Sequence, residues 1–263
     1  MSPFFFLTKK AFEQATAIFG ITDGYLNWGL NYAGRKKNDW DGVFPLSYPD
    51  SKFDGNARKI ETENLRKLGV NPEKKIVWFV GTFGKTYDLL TVIKAAKDLE
   101  KKRSDIQFVL SGNGENFQFL KENCQGLNSL VFTNWINSDQ IQSMMRLATV
   151  AIAPYVKGAP QALPNKYMEY FSAGLPIVSN LPGETELFLK TNEAGLTYEA
   201  GNAQSLIDKL NDILSDEAPR IKMGENARQI FDKFFNPNMV FPGIISRLEK
   251  IAGKKESFQN LPK

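Results

Sequence analysis

Between residues 75 and 199 the chain alternates short, almost wholly apolar runs with stretches whose apolar positions recur at helical spacing. The runs are KIVWFVG (75–81), IQFVLSG (106–112), SLVFTNW (129–135), TVAIAPY (149–155), PIVSN (176–180) and GLTYE (195–199). Between and after them, residues 88–102, 116–124, 138–148, 164–173 and 203–215 read as helices. A strand that is apolar throughout is buried on both faces. The pattern therefore predicts an α/β fold, a parallel sheet with helices on both faces. Upstream, residues 4–17 have helical spacing and AIFGIT (17–22) reads as a strand. YLNWGLNYAG (25–34) reads as a helix stopped by Gly34, and DGVFPLSYP (41–49) as a strand running into a turn. The polar, turn-rich segment 50–59 marks a domain boundary, and helical stretches at 220–235 and 238–252 close the chain.

A length of 263 residues is long for one domain and short for two full ones. The net charge of +4 is too small to argue for nucleic acid and suits an anionic small ligand. With no histidine and the single cysteine Cys124, the chain cannot itself build a Ser-His-Asp triad, a histidine base, a histidine zinc site, a cysteine metal cluster or an internal disulfide. No apolar window is long enough for a membrane span, and in SPFFFL the basic Lys9 and Lys10 follow the apolar residues, the reverse of a signal peptide. A cytoplasmic protein is the expectation.

In an open parallel sheet, ligands bind at the carboxyl ends of the strands, so the loops there carry the chemistry. The first, GTFGKTYD (81–88), ends like a phosphate-binding P-loop at Gly84, Lys85 and Thr86. That motif needs glycine at position 79, where Phe79 stands, so the NTPase reading is set aside. Lys85 is then either a phosphate contact beside two glycines or a solvated loop lysine. The second, SGNGEN (111–116), has Gly112 and Gly114 but lacks the third glycine of the dinucleotide fingerprint, and a plain strand-to-helix turn accounts for it. The third leads into NKYMEYFS, with Pro164 suited to a helix start. Free amides at a helix start bind anions, and Lys166 there opposes the helix dipole, which suggests an anion nearby. Asn165, Lys166 and Glu169 share a face, so Glu169 could accept hydrogen bonds from a ribose diol. The alternative is a surface Asn–Lys–Glu cluster with an intrahelical ion pair. The Asp39-Trp40-Asp41 triplet has the Asp-x-Asp form of a metal signature, but it is common by chance and lies away from the sheet loops.

In order along the chain, VGTFGKTYDLL, SGNGE, VFTNW, APY and LPNKYMEYFSAGLPIVSN with LPGETELF resemble the nucleotide-sugar half of GT-B glycosyltransferases. More narrowly they are similar to the bacterial group 1 family (family 4), which builds cell-surface polysaccharides and glycolipids. The resemblance covers about residues 57–250 and implies the Rossmann-like C-terminal domain of a GT-B fold. It implies a UDP-type sugar nucleotide bound in a cleft between two such domains, with no cofactor and no metal. Lys85 corresponds to the basic residue on the donor pyrophosphate and Glu169 to the second of two paired glutamates, the one that holds the ribose. Gln161 stands where the first glutamate would be; the Leu163-Pro164-Asn165-Lys166 form resembles a branch acting on amino-sugar donors. Thr82 replaces the usual arginine, so Lys85 and Lys166 would share the phosphate charge. Lys85, Lys166 and Glu169 are thus the catalytic candidates. Gly81, Thr82, Gly84, Gly112, Gly114, Gln161, Leu163, Pro164 and Asn165 are the donor-binding candidates, with Trp135 and Ile136 at the base.

The resemblance also implies that residues 1–56 are a remnant of the acceptor domain and its linker, that 57–252 form the nucleotide-sugar domain with helices crossing back, and that 253–263 are a polar tail. Phe4, Phe5, Phe6, Phe12, Phe234, Phe235 and Phe241 would then lack their usual cover, which favours self-association or a partner. The expected partners are a nucleotide-sugar and a missing acceptor domain or partner chain, with no nucleic acid. A place at the inner face of the membrane, through the full enzyme, stays open. So do two alternatives to the transferase half: a non-catalytic donor-binding subunit of a split transferase, and an inactive truncated fragment.

Overall fold

The computed structural model describes residues 3–50, 55–161 and 163–253. Along the chain the elements are α1 (Pro3–Gln14), β1 (Phe19–Gly20), α2 (Asp23–Ala33), β2 (Gly42–Val43), α3 (Gly55–Lys67), β3 (Lys75–Val80), α4 (Leu89–Glu100), β4 (Ile106–Ser111), α5 (Phe117–Asn123) and β5 (Leu130–Asn134). They continue as α6 (Ser138–Leu147), β6 (Ala148–Ala153), α7 (Asn165–Ser172), β7 (Ile177–Ser179), α8 (Glu184–Thr191), β8 (Gly195–Thr197), α9 (Ala203–Ser215) and α10 (Glu217–Ile230). A π-helical turn (Phe231–Phe235) and α11 (Pro237–Ile251) complete the list. The chain divides into two compact units, Met1–Pro49 with Asp232–Lys263, and Asp50–Phe231. The C-terminal helix α11 thus groups with the N-terminal segment.

In the larger unit the predicted runs form one six-stranded parallel sheet in the order β5-β4-β3-β6-β7-β8. Numbered from β3, this is the doubly wound order 3-2-1-4-5-6, which reverses between β3 and β6 and opens a crevice there. The four central strands β4, β3, β6 and β7 are buried on both faces, as their apolar runs require, and the edge strands β5 and β8 only in part. On one face Val77, Phe79, Phe108 and Leu110 pack with Val92, Ala96 and Leu99 of α4 and Leu206, Leu210 and Ile213 of α9. On the other, Trp78 is tilted against Tyr170 of α7 and donates its indole N–H to Ser111 Oγ at 3.0 Å. Several helix starts carry side-chain caps: Asp88 accepts from Thr91 N, and Asn137 with Gln140 forms a reciprocal capping box.

The smaller unit holds β1 and β2, paired in parallel and joined by α2, which Thr22 caps and Gly34 ends at φ +67°. Its buried centre is Ile18, Leu26, Leu30 and Ala33, with Phe12 packed against it. The carboxylate of Asp41, which is 2% exposed, accepts from Ile18 N, Asn38 N and both terminal nitrogens of Arg35, all at 2.7–2.8 Å. The Asp-x-Asp triplet is therefore a loop anchor, not a pair of metal ligands.

Several elements differ from expectation. The strand expected over 41–49 is only two residues long, because Pro45 and Pro49 lack the N–H a ladder needs. The polar segment 50–59 runs into α3, whose start lies within it; residues 51–54 fall outside the described ones. LPGETELF contains a helix, α8, entered through Gly183 at φ +73°. Among the aromatic residues expected to lack cover, Phe235 is buried and Phe12 half-buried, while Phe4, Phe5, Phe6, Phe234 and Phe241 are exposed. Among the described residues no helix is long and apolar enough to cross a membrane.

Candidate functional site

Apart from Trp135 and Ile136, the candidate residues lie in the segments that follow β3, β4 and β6, at the carboxyl ends of these strands. There the first two loops are stacked by backbone hydrogen bonds. Gly81 N donates to Ser111 O, Gly112 N to Asn134 O, Phe83 N to Asn113 O and Asn116 N to Phe83 O, all between 2.8 and 3.0 Å. Gly81 and Gly112 have φ of +153° and +140°, values that favour glycine. A Cβ on Gly112 would sit 1.9 Å from the Gly81 carbonyl oxygen, and one on Gly114 2.7 Å from that of Phe83. These two glycines therefore let loop pack on loop. Gly84 is different: a Cβ there would meet nothing closer than Glu115 Oε1 at 3.9 Å, so this part of the loop is open. Thr82 and Lys85 are exposed on it. The loop's far side is tied to the segment after β6 by Val156 N to Thr86 O at 3.0 Å and Asp88 N to Pro154 O at 2.9 Å.

Helix α7 begins at the N-cap Pro164 with no side-chain cap, as an anion site requires. Pro164 is buried, Leu163 and Gln161 are half-buried, and Asn165 is exposed. The Gln161 Oε1 atom is buried and has no hydrogen-bond partner, a condition that polar atoms in native interiors seldom tolerate.

Lys166 does not lie on a surface with Asn165. It is buried, and its Nζ donates to the carbonyl of Val80, the last residue of β3. The ammonium lies over the rings of Phe79 (4.5 Å), Tyr87 (5.1 Å) and Tyr170 (5.8 Å). It also sits directly behind Gly81, 2.8 Å from where a Cβ would be. Burial pushes its pKa down to about 8, against the half-buried Glu169 carboxylate, which favours the charged form. The surface-cluster alternative is thus excluded, and the lysine opposes the helix dipole because its side chain leaves the helix end for a strand carbonyl.

The structure brings together Gly81, Gly112, Gly114 and Lys166. Trp135 and Ile136 follow β5, the outermost strand, two strand spacings or about 10 Å from β3. Trp135 is 62% exposed, and the preceding Asn134 takes a positive φ of 59°, which turns the chain out of the sheet there. Sequence reasoning missed three tyrosines. Tyr87 and Tyr155 form an isolated antiparallel bridge with rings 5.0 Å apart, and Tyr170 accepts from Val80 N at 3.2 Å. Burial raises the pKa of all three hydroxyls. Tyr170, four residues after Lys166 on one helix face, was findable from spacing; Tyr87 and Tyr155 were not.

Glycosyl transferases group 1 match residues 60–230. Among curated proteins, the spore coat protein SA of Bacillus subtilis is 23% identical over 228 residues, covering 82% of this chain and 59% of that protein. The 2-deoxystreptamine N-acetyl-D-glucosaminyltransferase of Niallia circulans is 23% identical over 177 residues, covering 66% of this chain and 44% of that one. The chain thus spans about half the length of the curated relatives it matches. The fold recurs in the Anabaena HepE protein solved in complex with UDP, with a TM-score of 0.75, 16% identity, and 91% of this chain and 65% of that one covered. It recurs in a glycosyltransferase from Rickettsia africae, with a TM-score of 0.78, 15% identity, and 97% and 69% covered. From the doubly wound sheet, the loops at its strand-order reversal and the match across 60–230, the chain belongs to the glycosyl transferases group 1, enzymes of GT-B fold.

Proposed function

We propose that the sheet unit holds a nucleotide-sugar donor, UDP-linked, for transfer to an acceptor hydroxyl in the synthesis of a cell-surface polysaccharide or glycolipid at the cytoplasmic side of the membrane. The observation that carries this reading is the packing of Lys166, in the uncapped first turn of α7, behind the Gly81 turn at the end of β3, where the strand order reverses and Lys85 stands exposed on the same loop. Relatives solved with UDP support the nucleotide, among them the Anabaena HepE protein. In the reaction an acceptor oxygen bonds to the anomeric carbon, the bond from that carbon to the donor phosphate oxygen breaks, the nucleoside diphosphate leaves with the bonding electrons, and the hydroxyl proton passes to the diphosphate or to solvent. Lys85 and the α7 amides would stabilise charge developing on the diphosphate without a metal. Glu169 would hold the ribose diol, Trp135 and Ile136 would face the base, and the unpartnered Gln161 oxygen would accept from a donor sugar hydroxyl.

Calorimetric titration of the chain with UDP, GDP, dTDP and uridine tests this, with UDP expected to bind most tightly. Failure of all four to bind would remove the reading. In the same assay Lys85→Ala is expected to weaken UDP by about 1.5 kcal/mol, the low end for a charge-assisted bond because the lysine faces solvent, and to leave uridine nearly unchanged. Glu169→Gln is expected to weaken UDP about tenfold while hardly affecting pyrophosphate. Equal losses for UDP and pyrophosphate would place Glu169 in the framework of α7 and not at the ribose.

A further inference from the structure

At the reversal of strand order, β3 and β6 must part. Their ladder runs from Ile76 to Trp78 on the β3 side and ends there. Val80, two residues on, points its N–H and C=O toward the same side and finds no strand. Both groups are taken up instead by one face of α7. Tyr170 OH accepts from Val80 N at 3.2 Å and donates to Ile152 O of β6 at 3.4 Å, and Lys166 Nζ donates to Val80 O. The pair stands at i and i+4, so a single helix face spans the gap. The Gly81 turn, the first residue of the open loop, begins immediately beyond the carbonyl that Lys166 holds.

We propose that Lys166 is a positioning residue for the donor pocket: with Tyr170 it substitutes for the absent strand partner of Val80, splints β3 and β6 apart, and fixes the Gly81 turn against which the donor diphosphate lies. The proposal rests on the donor-site reading above. It also makes the buried ammonium the counter-charge behind the diphosphate, reached through one peptide and not by contact.

The groups facing that ammonium are Glu169 and Tyr170 from α7, Tyr87 from the loop after β3, and, against Tyr87, Tyr155 from the end of β6. Lys85 lies on the same loop, exposed. The tyrosines keep their protons through the neutral range, because burial raises all three. Lys166, pushed down to about 8, is therefore the group here that changes charge just above neutrality. A diphosphate bound in front of Gly81 favours its charged form, so binding above that pH should draw in a proton.

The test is calorimetric titration of the full chain with UDP at about pH 8.5 in two buffers of different ionisation enthalpy, which counts protons exchanged. Wild type is expected to take up a proton fraction on binding. Lys166→Met is expected to lose that uptake and bind UDP at least about tenfold more weakly. Lys166→Arg, which keeps a charge that does not titrate, is expected to lose the uptake but recover part of the affinity. A folded Lys166→Met that binds UDP as wild type does would overturn the proposal, as would proton uptake persisting in it. If Lys166→Met does not fold, Lys166→Arg decides: proton uptake equal to that of wild type overturns the proposal, and loss of the uptake with weaker binding supports it. Wild type that binds none of UDP, GDP and dTDP removes the donor-site reading and this inference with it, whereas an unaffected Lys166→Met removes the inference alone.

Discussion

Gly112→Ala is expected to abolish UDP binding and to destabilise the sheet unit by more than about 3 kcal/mol. The new methyl would lie 1.9 Å from the Gly81 carbonyl oxygen and 3.2 Å from the Phe83 ring. Neither neighbour can withdraw easily. Gly81 is bound through its N–H to Ser111 O, and Gly112 is bound through its own to Asn134 O, so separating the loops breaks bonds on both strands. The φ of +140° adds backbone strain for any residue with a Cβ. Gly84→Ala, whose methyl would meet nothing within 3.9 Å, is expected to change stability by less than about 0.5 kcal/mol. Denaturant unfolding of the two variants side by side checks this. Equal midpoints would show that the stacked loops yield without cost.

Asp41→Ala is expected to cost the smaller unit about 3 kcal/mol, because it strands Arg35 and leaves Ile18 N and Asn38 N without their acceptor. The carboxylate is also a pH-dependent element. Burial alone would raise its pKa, but hydrogen bonds from Arg35, Asn38 and Ile18 outweigh that and hold it at about 2, below the ordinary 3.8. The folded state therefore binds its proton less readily than the unfolded one does. This contribution is fully present above pH 3.8 and is lost as pH falls through about 2. Comparing wild type with Asp41→Ala during acid unfolding should show the gap between them closing over that interval. A constant gap would mean that the side chain matters through packing alone.

The four central strands of the larger unit were legible because burial on both faces writes an unbroken apolar run, the edge strands β5 and β8 from shorter apolar runs, and α4, α6 and α9 because one packed face writes a periodic one. Helix α3 was not, since its sequence GNARKIETENLRK places few apolar residues on any face, and among the side chains described over 60–67 only Leu65 is deeply buried. Helix α8 is short and sits between a Pro-Gly pair and a strand, where turn signals dominate. In the site, the i, i+3 spacing of Lys166 and Glu169 was readable, but the destination of the lysine was not: its acceptor is a carbonyl at the end of another element, and no local pattern records it. Gly112 and Gly114 were visible as a turn; that they accommodate a neighbouring loop's backbone is a fact of the sheet's lateral order. Tyr87 and Tyr155 meet only because two segments distant in sequence end side by side.

The reversal of strand order also has a kinetic meaning. β3 pairs with β4 and β4 with β5 across single helical crossovers, and β6, β7 and β8 follow one another in the same way. Each set can assemble from near neighbours. The junction between the sets, Ile76 with Ala148 and Val77 with Val150, closes the widest loop in the sheet and is entropically the most demanding pairing to nucleate. The crevice exists only once that junction has zipped, so a refolding chain can regain most of its helical signal before it regains any pocket. Ligand capture during refolding would then follow the slowest phase and not the first, making nucleotide recognition a late reporter of a completed sheet.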